Sequence, residues 1–155
     1  MPRQRLASRI LLISPSNQML LFKIRYLTGA LAGMCYWATP GGKLRANESY
    51  EAAAIRELYE ETGIEVQSVG QCLAHKEFPW VMPGGEHVLA VEHYFVVRVH
   101  DVQLSNTRWS DQEREVVSEV GWWSEEELAA CREAVYPPDL SSLFAQAITG
   151  EIGSM

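Results

Sequence analysis

Two apolar runs open the chain. Arg5 to Ser14 and Met19 to Tyr26 are rich in Ile, Leu and Phe, and Ser14-Pro15-Ser16-Asn17 separates them. Turn formers between two strand-like runs predict an antiparallel hairpin. The stretch from Leu27 to Pro40 carries Gly29 and Gly33 without a clear period and reads as a loop ending at Pro40-Gly41-Gly42. From Ser49 to Thr62 helix formers dominate, with Asn47 or Ser49 available as cap and Gly63 as stop, which predicts a helix. Val66 to Lys76 and Val88 to Val99 read as strands. The second contains Tyr94, Phe95, Val96 and Val97, the continuous apolar run of a buried sheet. Pro79, Pro83, Gly84 and Gly85 mark a loop between them. Residues 101 to 114 read as polar and irregular, and Val116 to Trp123 as a short strand. Ser124 opens a capped helix through Glu127 and Leu128, and a last helix is expected from Leu140 to Ile148. No repeat, low-complexity tract or linker interrupts this order.

With 155 residues, 47% of them apolar and 21% charged, the pattern fits one α/β domain over residues 1–155. No apolar stretch approaches the roughly 18 to 20 residues of a membrane helix. Arg3, Arg5 and Arg9 before Ile10–Ile13 imitate the start of a signal peptide, but the apolar region is too short and no small-residue cleavage site follows. Cys35, Cys72 and Cys131 form no C-x-x-C, which argues against a disulfide framework or a zinc site. The expectation is a soluble protein of a reducing, cytoplasmic setting.

Thirteen Lys and Arg against twenty Asp and Glu leave a net charge of -7, which argues against a nucleic-acid-coating protein. The distribution is more informative than the sum. Arg3, Arg5, Arg9, Lys23, Arg25, Lys43 and Arg45 all precede Glu48, the first acid. Such asymmetry is commonly incidental. The alternative is a site where bases meet an anion and acids meet a cation.

Within the expected helix, setting Glu57 at zero puts Glu61 at about +40° and Glu60 at about -60°, so the three carboxylates share one face. Ala52, Ile55, Leu58 and Tyr59 take the opposite half, the stripe a core would bury. Acids three and four apart repel one another, and acids near a helix C-terminus oppose its dipole. A solvated face absorbs these penalties. A hard divalent cation such as Mg²⁺ would convert them into a binding site, and periodicity does not choose between the two.

Spacing adds what periodicity lacks. Gly42, five residues, Glu48, seven residues and then Arg56-Glu57-Leu58-Tyr59-Glu60-Glu61-Thr62-Gly63-Ile64 match G-x5-E-x7-R-E-U-x-E-E-x-G-U at every fixed position, U being a bulky aliphatic residue. Average residue frequencies make a chance match about 10⁻⁷. The segment resembles the Nudix box, and Trp37-Ala38-Thr39-Pro40 before it and Val120-Gly121-Trp122-Trp123 after it are similar to the flanks of that family. The resemblance implies a Nudix-like α/β/α sandwich with a mixed β-sheet. It also implies Mg²⁺- or Mn²⁺-dependent hydrolysis of a nucleoside diphosphate linked to another moiety, and a homodimer is compatible with it.

Carried over by position, Glu57, Glu60 and Glu61 become metal ligands, with Glu57 also assisting deprotonation of water. The Gly42 carbonyl adds a ligand, Glu48 supports the cluster at longer range, and Arg56 orients a box glutamate through a charge-assisted hydrogen bond. Relatives often recruit a further glutamate from beyond the box. Glu113, Glu115 and Glu119 lie in that region, and we expect Glu115 first, then Glu119, with Glu86 and Glu92 behind them. Lys23, Arg25, Lys43 and Arg45 are candidate phosphate contacts or ordinary surface cations. Arg45 and Asn47 depart from the usual acid and glycine of the family, and Asn tolerates a left-handed turn.

Trp37, Trp80, Trp109 and Phe78 are candidate stacking partners or core residues. Pro79, 16 residues after Gly63, is where ADP-ribose-cleaving relatives carry a proline. The four histidines show no ligand spacing. Two other classes share the fold: a nucleotide sensor without turnover, and an isomerase that would use Cys35.

Overall fold

The computed structural model describes residues 2–100 and 103–150. The strands are β1 (Arg3–Ile13), β2 (Met19–Arg25), β3 (Cys35–Ala38), β4 (Gly41–Lys43), β5 (Cys72–Val81), β6 (His87–Arg98), β7 (Val117–Trp123) and β8 (Val135–Tyr136). The helices are α1 (Tyr50–Thr62), α2 (Asp111–Val116), α3 (Glu125–Ala129) and α4 (Leu140–Thr149). The strands form a mixed sheet in the order β5-β6-β1-β2-β3-β8, with β4 added to β1 and β7 to β2.

Ile10, Leu11, Leu12 and Ile13 at the end of β1 are all buried, so both faces of the strand are covered, the signature of a strand sandwiched between layers. Ile10 and Leu12 pack with Leu20, Phe22, Ala54 and Leu58 under α1. Leu11 and Ile13 pack with Leu21, Leu140, Leu143 and Phe144 under α4. The result is the expected α/β/α arrangement around a mixed sheet.

A fork in the sheet creates the site. The hairpin brings β1 and β2 into register at Ile13 and Met19. Beyond that pair β1 takes β4 as its neighbour, from Ala7 opposite Lys43 to Arg9 opposite Gly41. β2 instead takes β7. Arg5 and Arg9 share the face of Leu11 and Ile13 by the two-residue period of a strand, and they occupy the cavity-lining end of β1.

Helix α1 begins and ends as its sequence requires. Ser49 accepts the Ala52 N–H at 3.0 Å, and Gly63 closes the helix in the left-handed region at φ 80°. Asn47 adopts φ 63°, the conformation Asn tolerates.

The elements differ from expectation in several places. Cys35–Ala38 and Gly41–Lys43 are short strands in the segment read as loop and punctuation, stabilised by neighbours remote in sequence. Residues 66–71 lie outside β5, which instead runs from Cys72 through Pro79 to Val81. β5 lies at the sheet edge, where proline's missing N–H can face outward without breaking a ladder bond. The stretch read as irregular, 101 to 114, ends inside α2, which is announced by a capping box between Ser110 and Glu113 and takes Val116 from the expected strand. Residues 101 and 102 of that stretch lie outside the described residues. Among the described residues, no helix is long and apolar enough to cross a membrane.

Candidate active site

Helix α1 aims its last acidic turn at the β1–β4 junction. Ser8 on β1 donates to the Tyr50 carbonyl at 2.6 Å, anchoring the start of α1, and the Trp109 indole donates to the Glu61 carbonyl at 2.8 Å, anchoring its end. The Glu61 side chain is buried and accepts the Gly41 N–H at 2.7 Å. Glu57 lies over Gly42 so closely that a Cβ there would meet its carboxyl group at 2.6 Å. Only glycine leaves the carboxylate where it is.

One oxygen each of Glu57, Glu61 and Glu113 lies within 4.8 Å of the others. Two of the expected box glutamates therefore converge. Glu60 turns aside, pairing with Arg45 at 3.3 Å and Arg56 at 3.2 Å. The contribution from beyond the box is Glu113, supplied by the first turn of α2. Glu115 and Glu119 are exposed outside the cluster, and Glu119 pairs with Lys23 at 3.3 Å. Glu86 pairs with Arg3, and Glu92 with Arg9.

Three carboxylates in so small a space repel one another, and the electrostatics record it. Burial, followed by the neighbouring Glu113 and Glu57, pushes the Glu61 carboxyl well above its ordinary value. Burial also raises Glu57, against the opposing pull of Arg56. Burial disfavours the ionised Glu113, yet hydrogen bonding to Glu61 and Ser110 carries it below the ordinary value. Crowded, partly desolvated oxygens with few protein donors fit a hard divalent cation, whose charge would remove the repulsion. Glu57, Glu61 and Glu113 are the side chains that would hold such an ion.

Arg56 organises the other side of the helix. It reaches both Glu48 oxygens at 2.8 Å, Glu57 at 2.8 Å, Glu60 at 3.2 Å and the Lys43 carbonyl at 3.0 Å. This fork holds Glu48 down at about 2, chiefly through the Arg56 hydrogen bonds. Lysine cannot reproduce the planar fork. Arg56→Lys is therefore expected to cost about 1–3 kcal/mol in urea unfolding. Because the Glu48 pKa is depressed on folding, its stabilisation is complete above the ordinary 4.5 and lost as pH falls toward about 2. The gap between wild type and variant should close over that interval; a gap independent of pH there would contradict the assignment.

A cavity of about 220 Å³ adjoins the acidic cluster. Glu61, Glu113 and Gly41 contribute to its lining together with Arg5, Arg9 and Glu92. Tyr36, Phe78, Trp80 and Tyr136 form an aromatic wall in which Tyr36, Trp80 and Tyr136 meet edge to face at 5.0–5.8 Å. Two of the four aromatic candidates, Trp80 and Phe78, thus reach the cavity. Trp37 and Trp109 pack in the two cores.

The four cations expected at phosphate lie elsewhere. Lys23 pairs with Glu133 at 2.9 Å and sits over the Trp37 ring, and Arg45 pairs with Glu60. Arg25 and Lys43 are exposed, and none of the four lines this cavity. Arg5 and Arg9 do. Their signal was present in the sequence as two bases four residues apart, and so on one face, in the first strand-like run.

The chain matches the NUDIX domain family over residues 3–144. It belongs to the Nudix family. It is 30% identical over 109 residues to an NAD-capped RNA hydrolase of Schizosaccharomyces pombe, covering 68% of this chain and 27% of that protein. It is 32% identical over 87 residues to the phosphatase NudJ of Escherichia coli, covering 52% of this chain and 55% of the relative. The matched regions thus span about a quarter to a half of these relatives. Among solved structures, the NUDIX domain of Shewanella oneidensis NrtR, complexed with ADP ribose, superposes with a TM-score of 0.65 at 19% identity, covering 97% of this chain and 90% of that one. That likeness concerns the fold.

Proposed function

We propose that this Nudix domain is a Mg²⁺- or Mn²⁺-dependent pyrophosphohydrolase that cleaves a nucleoside diphosphate linked to another moiety by attack of water at phosphorus. The convergence of Glu57, Glu61 and Glu113 beside an aromatic-walled cavity carries the reading. The names of the relatives, a capped-RNA hydrolase and a phosphatase, and the ADP ribose held by the NrtR domain support a nucleotide derivative as the substrate class. Three free thiols are in keeping with a cytoplasmic setting, and the homodimer compatible with the family resemblance is testable by light scattering.

A bound divalent ion would neutralise phosphate oxygens and make water a stronger nucleophile. The protein's own part is positional. Arg56 holds the Glu57 carboxylate toward Gly42, the Gly41 N–H holds Glu61, and Ser110 holds Glu113 through the cap of α2. Glu113 lines the cavity, which suits one of its oxygens to accept the proton of the attacking water. The aromatic wall offers flat apolar surface to a base or to the leaving moiety.

The test is product release from nucleoside triphosphates, dinucleoside polyphosphates, ADP-ribose and nucleotide sugars with Mg²⁺ or Mn²⁺. Glu113→Gln should lower kcat by about 10²–10⁴-fold. Glu115→Gln, on the exposed side of α2, should stay within about tenfold of wild type, since surface changes remote from the chemistry are usually mild. Ligand binding without turnover across the whole panel would favour a sensor instead. Equal losses in the two variants would remove Glu113 from its assigned role.

A further inference from the structure

Two buried side-chain polar atoms among the described residues have no hydrogen-bond partner: the Nε of Arg5 and the Oγ1 of Thr39. Both residues line the cavity beside Glu61 and Glu113. Buried donors are ordinarily satisfied, so a coincident pair in one cavity calls for a ligand that satisfies them.

The charges around Arg5 indicate what kind of ligand. Arg9 donates through Nε and Nη2 to one Glu92 oxygen at 3.2 and 3.1 Å, while the Tyr94 hydroxyl donates to the other at 2.8 Å. The Glu92 carboxylate is thereby committed to Arg9 and Tyr94. Among the described residues Arg5 makes no side-chain hydrogen bond or ion pair of its own. Burial, and then the neighbouring Arg9, work against its charge, while Glu92, Tyr26 and Glu57 support it only at a distance. Arg9 takes the Glu92 carboxylate in a direct ion pair, and Arg5 is left as a positive charge without one. A neutral carbonyl would satisfy a donor but not this charge, whereas an oxyanion satisfies both.

We propose that Arg5 and Thr39 form an anion subsite that takes the non-bridging oxygens of the substrate's pyrophosphate on the side not faced by the acidic cluster. The inference rests on the hydrolase reading for the identity of the anion. Arg5 supplies a guanidinium donor and the charge; Thr39 supplies a hydroxyl donor. Arg9, locked to Glu92, keeps Arg5 from being neutralised by the nearest carboxylate. The segment from 37 to 42 then serves two purposes: Gly41 and Gly42 admit the glutamates of α1, and Thr39 faces the anion.

Inorganic pyrophosphate is the probe, titrated calorimetrically into the protein with Mg²⁺ and, separately, with chelator. Wild type should bind it in the presence of Mg²⁺. Arg5→Met should weaken that binding at least tenfold, Thr39→Val by a smaller factor, and Arg5→Lys should recover part of the loss by restoring charge without the fork. Arg132→Met, an exposed cation outside the cavity, serves as the control and should bind as wild type does. Thermal melts of each variant establish that it is folded; if Arg5→Met does not fold, Arg5→Lys and Thr39→Val carry the test.

Pyrophosphate affinity in folded Arg5→Met equal to that of wild type would overturn the subsite, as would no binding to wild type in either arm. Substrate turnover separates this inference from the one it rests on. Turnover with kcat/KM unchanged in Arg5→Met would leave a hydrolase without this subsite. Pyrophosphate binding lost in Arg5→Met, with no turnover of any nucleotide by wild type, would leave the anion subsite and remove the hydrolase.

Discussion

Glu61→Gln is expected to lower kcat by at least about 10³-fold, equivalent to about 4 kcal/mol of transition-state stabilisation, while leaving the fold intact. The glutamine oxygen can still accept the Gly41 N–H, so the substitution retains the contact that seats the side chain and removes only its charge. A buried carboxylate within 4.8 Å of two others has the character of a ligand, and its charge is what a divalent ion would require. The same substitution should act in the opposite direction on stability. The Glu61 carboxyl is raised well above 4.5 by burial, so in chelator the unfolded chain ionises first and stability falls as pH rises above 4.5. Glu61→Gln should flatten that fall, and Mg²⁺ should restore high-pH stability to wild type more than to the variant. Calorimetric melts across pH, with and without Mg²⁺, check both halves; a variant that keeps its activity or the wild-type pH slope would refute the assignment.

Gly42→Ala should be nearly as damaging to function, by a different route. Its backbone lies outside the left-handed region, so alanine is conformationally acceptable, but the new methyl would fall 2.6 Å from the Glu57 carboxyl carbon and one of its oxygens. The mobile end of a side chain yields more readily than backbone, so Glu57 should be displaced rather than the strand. We expect Mg²⁺ half-saturation to rise by about 10–100-fold, the range seen when groups that orient metal ligands are disturbed, with little change in melting temperature. Gly41→Ala supplies the contrast. There a Cβ would lie 2.1 Å from the Ser8 carbonyl oxygen at a backbone φ of 145°, and both obstacles are backbone. Its expected outcome is a loss of about 2–4 kcal/mol in stability. Adjacent glycines should thus separate into one that protects the ligand and one that protects the fold. Equal stability losses at the two positions would refute the distinction.

Legibility along the chain followed the distance over which each feature is determined. Helix α1, its Ser49 cap, its Gly63 stop and the common face of its glutamates depend on residues within a few turns, and periodicity displayed them. The short strands β3, β4 and β8 have four, three and two residues, too few for a period to register, and they exist through partners far away in the chain. Pro79 looked like a breaker because nothing local indicates that its strand would lie at a sheet edge. Glu113 and Glu115 are equally acidic and only two residues apart. The capping box could have announced α2, but not which of its acids would face α1. Lys23 and Arg5 look alike as strand cations, yet Lys23 meets Glu119 and Glu133 while Arg5 lines the cavity.

By itself the sequence determined the family, the sandwich architecture and the chemical character of the site, because spacing along one helix dictates which side chains share a face. Only the tertiary structure decided that Glu113 completes the acidic group, that Glu60 turns to two arginines, and that Arg5 and Thr39 line the cavity with buried polar atoms that have no partner among the described residues. Those choices depend on the fork between β1 and β2 and on where α2 returns to it. They are set by contacts between residues remote in the chain, which local propensity cannot encode.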